Sequence, residues 1–134
     1  MSSKSIRTGL VTAAAFIVLE MVLHGLFLSR LYSSIPSVWR QTAELRSLVP
    51  WMWLGQALFG FFFGVVYSKG FESGKGTVSQ GLRYGLLMAL MLGPVTGIVW
   101  YTVLPIPQTL GLAWGVGSAV QCILLGLVAG SVHK

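Results

Sequence analysis

The stretch TGLVTAAAFIVLEMVLHGLFL, residues 8–28, contains no lysine, arginine or aspartate and a single glutamate, Glu20. At ~1.5 Å rise per residue a helix of this length crosses a ~30 Å hydrocarbon layer. Three further apolar runs follow, and transmembrane spans are expected at about 8–30, 48–68, 81–104 and 109–132. They use up nearly all of the 134 residues. The expected fold is therefore all-α: a single integral membrane domain over 1–134, built as a four-transmembrane-helix bundle.

Composition points the same way. Hydrophobic residues make up 54% of the chain and charged residues 9%, with a mean hydropathy of +0.79, whereas soluble domains carry about a quarter charged residues. Residues 1–7 are polar and basic, with Lys4 and Arg7. The run behind them is too long for the apolar core of a secretion signal, and no small-x-small site precedes Arg30, so it is read as an uncleaved first span.

The formal charge is +6. The basic residues flank the apolar runs rather than gather on one surface, which assigns them to membrane orientation and not to nucleic-acid binding. Lys4, Arg7, Lys69, Lys75, Arg83 and Lys134 fall on one side of the bilayer and Arg30, Arg40 and Arg46 on the other. This asymmetry predicts cytoplasmic N- and C-termini, in a bacterial or archaeal inner membrane. Neither Asn nor Asp occurs, which excludes N-glycosylation, EF-hands and Asp-based triads. Cys122 has no cysteine partner, so no disulfide framework exists and the redox compartment is not encoded. The string Gly70 to Thr77 fails as a phosphate loop, being one residue short before Gly74 and carrying Gly76 where Ser or Thr is required.

Between the first two spans, residues 32–47 place Ile35, Val38, Trp39, Ala43 and Leu45 on one helical arc and Ser37, Arg40, Gln41, Glu44 and Ser47 on the other. That pattern predicts a short amphipathic helix in the membrane interface, anchored by Trp39, Trp51 and Trp53. The string Arg7-Thr8-Gly9-Leu10 is echoed by Arg83-Tyr84-Gly85-Leu86, and Gly60/Gly64 by Gly126/Gly130, so the chain reads as two related hairpins. With lipid outside, helices associate through small residues, here the spaced glycine pairs 60/64, 81/85, 93/97, 111/115 and 126/130.

Glu20 is the residue that demands an explanation. A carboxylate near the bilayer midplane costs ~2.5 to 3.5 kcal/mol on insertion scales. His24 follows one turn later, and counting depth along each span brings Gln56, Thr96, Pro94 and Gln121 within about a turn of Glu20. Glu20, His24, Gln56, Thr96 and Gln121 therefore form the candidate intramembrane polar site. Pro94 interrupts the third span and frees the carbonyl of Leu90 for a ligand, a water or a side chain. Glu20 pins helix register through Gln56, Gln121 or His24, or carries protons or a substrate, or contacts a second protein or cofactor.

Metal and haem are poorly served. Glu20 and His24 have ligand spacing on a helix, yet only Cys122 offers an obvious third ligand, so no metal site is expected and no cofactor is identifiable. His24 and His133 lie toward opposite faces, which excludes a bis-histidine haem within one chain. No nucleophile is paired with a base, and no enzyme chemistry is indicated.

A lone glutamate at the centre of the first of four spans is similar to the small multidrug-resistance transporters, dimeric exchangers that use such a carboxylate for protons and cations. The likeness covers Glu20 and the span count; the amphipathic outer segment and Pro94 depart from that family. Three functions are open, of which a membrane enzyme or cofactor carrier is the least favoured, and two are carried forward. One is a structural or accessory subunit of a larger membrane complex, docking a membrane-protein partner through an aromatic face such as Phe59, Phe61, Phe62 and Phe63. The other is a small proton-coupled transporter or channel-like homo-oligomer using Glu20.

Overall fold

The computed structural model describes residues 1–133; Lys134, counted above among the basic residues, lies outside them. Four helices long and apolar enough to cross a membrane run over Ser3–Phe27, Thr42–Lys69, Thr77–Val103 and Gln108–Val132. The protein is an integral membrane four-helix bundle. The first span comprises α1 (Ser3–Glu20) and a π-helical continuation, Met21–Phe27. After α2 (Ser29–Ser33) and a 3-10 turn (Pro36–Val38) come α3 (Thr42–Lys69) and α4 (Thr77–Pro94). A second π-helical segment (Val95–Val99), α5 (Trp100–Val103) and α6 (Gln108–Val132) complete the chain.

The helices begin ahead of the expected spans, while the first ends at Phe27 rather than 30 and the third at Val103 rather than 104. Ser2 caps α1 by accepting from the Ser5 amide, and α3 starts at Thr42 with a polar turn bearing Glu44 and Arg46 rather than at Leu48. In place of one amphipathic helix over 32–47, the connection is broken into two turns. Pro36 supplies no N–H and restricts the residue before it, and Ile35 accordingly sits outside helical geometry at φ −131°, ψ 55°. The same chemistry acts inside the third span, where Pro94 cannot donate to Leu90 and the helix widens into the π segment that follows.

The spans pair as two hairpins, α1 with α3 and α4 with α6, and glycines set how closely each pair approaches. A Cβ added at Gly60 would lie 2.6 Å from Ala13 Cα and 2.8 Å from the Thr12 carbonyl oxygen. One added at Gly126 would lie 2.7 Å from Gly85 Cα and would collide with the Gly81 carbonyl. Matched by these contacts, Ala13 corresponds to Gly85. That is one helical turn away from the Gly9–Gly85 pairing suggested by the two similar strings. The hairpins meet around Phe63, Ala89, Cys122 and Leu125, and Tyr84 Oη donates to the Phe63 carbonyl at 3.0 Å.

Both termini lie at one end, hereafter the proximal end. Arg7 Nη2 donates to the Val132 carbonyl at 2.6 Å. His133 is buried there. The Thr8 hydroxyl donates to the Lys4 carbonyl and so accepts from His133 Nδ1, 2.9 Å away, with Ser68 Oγ 3.2 Å from the same nitrogen. Burial, and then the Lys4 and Arg7 charges, hold the His133 imidazole below its ordinary value of 6.5. The unfolded chain therefore binds the extra proton first as pH falls below 6.5. The His133 contribution to stability is present above that pH and is lost on acidification. Melting temperatures are expected to fall between roughly pH 7 and pH 5, less steeply in His133→Gln. An identical slope in that variant would assign the sensitivity to another group.

Candidate functional site

The end of α1 and two opposing helices build the site. Glu20 is the last residue of α1, and each of its oxygens is held by an amide from a different span: Gln56 Nε2 of α3 donates to Oε2 at 3.0 Å, and Gln121 Nε2 of α6 donates to Oε1 at 2.9 Å. A carboxylate only accepts, so both glutamines must present their NH2 groups. His24 Nε2 stands 3.6 Å from Oε2. The Glu20 side chain is 17% exposed and that of His24 38%.

Four of the five expected residues thus converge. Thr96 does not join them: its hydroxyl donates to the carbonyls of Leu92 and Gly93 on its own helix, at 2.9 and 3.2 Å. Thr96 does line the chamber described below, whereas Leu90, the residue whose carbonyl Pro94 was expected to free, is exposed and does not border it. No three His, Cys, Asp or Glu side chains among the described residues could hold one metal ion.

Sequence reading missed the aromatic half of the site. Tyr32 Oη is hydrogen-bonded to His24 Nδ1 and accepts from Trp114 Nε1 at 2.8 Å. Trp39, read as an interface anchor, instead donates its indole N–H to the Tyr32 carbonyl at 3.0 Å and packs edge-on against the Tyr32 ring. The available signal was spacing: Trp114, Ser118 and Gln121 recur at i, i+4 and i+7, one face of α6, and a deep indole N–H needs an acceptor.

Two cavities meet at this cluster. A chamber of about 480 Å³ lies between the hairpins from mid-depth outward, walled by Phe16, Phe59, Leu92, Trp100 and Trp114, with Gln121 and Cys122 at its base. A wider vestibule of about 1250 Å³ occupies the end away from the termini, bordered by Tyr32, Trp39, Arg40, Trp53 and Gln56. Glu20, His24 and Trp114 border both. The proximal half, by contrast, is occluded by the glycine contacts and by Thr12, whose hydroxyl donates to the Gly60 carbonyl at 2.7 Å.

No family model, curated protein or solved structure matches this chain. Its chemistry is therefore read from the site. The chamber offers one formal charge, the Glu20 carboxylate, among aromatic faces, and the donors nearest that carboxylate already serve it. Such a wall favours a cationic or donor-bearing head with an apolar body over a carbonyl-bearing one.

Proposed function

We propose that the protein is a small proton-coupled carrier that binds an amphipathic cation in the chamber and exchanges it for a proton at Glu20. The observation that carries this reading is the Glu20 carboxyl group on the wall of an aromatic chamber of about 480 Å³ at membrane depth. Proton and cation compete for one acceptor, so occupancy by either excludes the other. An accessory-subunit role has less support. Of the aromatic run suited to a partner, Phe63 is buried, Phe61 packs on Gly9, Phe59 lines the chamber, and Phe62 alone is exposed.

The test uses methyltriphenylphosphonium, a permanent cation without N–H groups, titrated into detergent-purified protein and read by tryptophan quenching. Saturable binding that weakens on acidification is expected, with no comparable binding of neutral triphenylphosphine oxide. Equal binding of both, or of neither, would reject the carrier reading.

Orientation belongs to the same proposal: cytoplasmic termini in a bacterial or archaeal inner membrane, supported by the distribution of basic residues. In a Cys122→Ala background, Ser37→Cys is expected to react with an impermeant maleimide added outside intact cells, and Ser73→Cys to react only after lysis. The opposite result would invert the orientation.

A further inference from the structure

The chain of polar contacts from Trp114 through Tyr32 and His24 to ionised Glu20 has a direction, fixed by the valence of each group and by the carboxylate charge. Trp114 Nε1 can only donate, so it fills one lone pair of Tyr32 Oη. Ionised Glu20 can only accept, so with the carboxylate charged the hydrogen of His24 belongs on the Nε2 that faces it at 3.6 Å, a charge contact just beyond hydrogen-bond distance. A neutral imidazole with its hydrogen on Nε2 has a bare Nδ1, which accepts from the Tyr32 hydroxyl. The hydrogens therefore point from Trp114 to Tyr32 to His24 to Glu20. The second lone pair of Tyr32 Oη is left for a vestibule water.

Tyr32 is held rigidly for this task. Its ring lies parallel to the His24 imidazole, at an interplanar angle of 7°, while Trp39 fixes its carbonyl and Trp114 its hydroxyl. Burial pushes the Tyr32 phenol up to about 12, opposed by the Trp114 hydrogen bond and aided by the Glu20 charge, so the hydroxyl keeps its hydrogen at physiological pH. The other ionisable groups bordering the vestibule with His24 are Glu20 and Arg40, and Arg40 is engaged by Glu44.

We propose that the two partners of the exchange use different cavities: the cation occupies the chamber, and the proton passes between Glu20 and vestibule water through His24 and Tyr32. When a cation enters, the Glu20 O–H bond breaks and its proton goes to His24 Nε2. The Nδ1–H bond breaks as its proton goes to Tyr32 Oη, and the hydrogen formerly on Tyr32 leaves to water. One proton enters the vestibule for each cation bound, His24 ends as the Nε2–H tautomer, and nothing is oxidised or reduced. Trp114 is a positioning residue in this scheme, and His24 and Tyr32 carry the proton.

This rests on the carrier reading, and two measurements keep the two separable. The first needs no ligand: in His133→Gln protein labelled with ¹⁵N-histidine, proton-detected spectra report the hydrogen on His24. At a pH high enough to ionise Glu20, the Nε2–H tautomer is expected in the wild-type network and a mixture in Tyr32→Phe; an Nδ1–H tautomer in wild-type protein at that pH would overturn the relay. The second mixes methyltriphenylphosphonium with protein and a pH dye. Wild-type protein is expected to release about one proton per cation bound. Tyr32→Phe should bind the probe with unchanged affinity but release the proton roughly 10²-fold more slowly, with a smaller delay in Trp114→Phe. Proton release at the wild-type rate in Tyr32→Phe would overturn the relay and leave the carrier reading standing. Absence of probe binding to wild-type protein would overturn the carrier reading, with the tautomer still deciding the hydrogen-bond direction.

Discussion

Glu20→Gln is expected to fold and to lose cation binding by roughly 10- to 100-fold, the loss of a charge-assisted contact of about 1.5–3 kcal/mol. The amide occupies the volume of the carboxyl group, and either Gln56 or Gln121 can turn its own amide to meet the new NH2, so the tie between spans persists. Glu20→Ala differs in kind. It leaves two amide groups at membrane depth without their shared acceptor, about 1–3 kcal/mol each, and enlarges the chamber. Its melting temperature is therefore expected to fall well below that of Glu20→Gln. Probe binding by Glu20→Gln at wild-type affinity would leave Glu20 as a register pin and remove the carboxylate from the function.

Gly126→Ala is expected to be among the most destabilising single substitutions in the protein, at about 3 kcal/mol or more. Its new methyl group would meet the Gly81 carbonyl and Gly85 Cα, both backbone, so no side chain can swing aside and the second hairpin must part. Gly60→Leu should act similarly on the first hairpin through Ala13 and Thr12, and Gly115→Leu on the second through Gly93 and Gly97. Gly55 is the control: nothing lies within 4 Å of its added Cβ, so Gly55→Ala is expected to be neutral or to stabilise α3 by up to about 1 kcal/mol. Detergent melts of Gly126→Ala and Gly55→Ala that coincide would contradict the close approach of α4 and α6.

The number and placement of the spans were legible because hydrocarbon thickness imposes a length that composition displays directly. Helix ends were less so: hydropathy marks where polarity changes, while the helix stops where hydrogen bonding stops, as at Ser3 and Thr42. Glu20, His24, Gln56 and Gln121 could be assembled by counting, since a constant rise per residue turns sequence position into depth. Thr96 sits at the same depth, but its short hydroxyl finds the Leu92 carbonyl of its own helix first. Tyr32 was out of reach for a different reason. It lies in a connection whose path is set by the break at Pro36, and only the folded path brings it between His24 and Trp114.

The glycine contacts that close the proximal half also have a mechanical meaning. The second hairpin is locked along its length by backbone-to-backbone contact and the first over its proximal half, so neither pair can slide by a small adjustment there. The compliant plane runs between the hairpins, where side chains rather than backbones touch: Phe63 against Tyr84, Phe16 and Phe59 beside Cys122, and Thr8 beside His133. A rocking motion about that plane would narrow the distal chamber while prising apart the aromatic and histidine contacts at the proximal end. Glu20, bonded to Gln56 within its own hairpin and to Gln121 across the plane, sits at the pivot, so the load on that second hydrogen bond rises and falls with every swing.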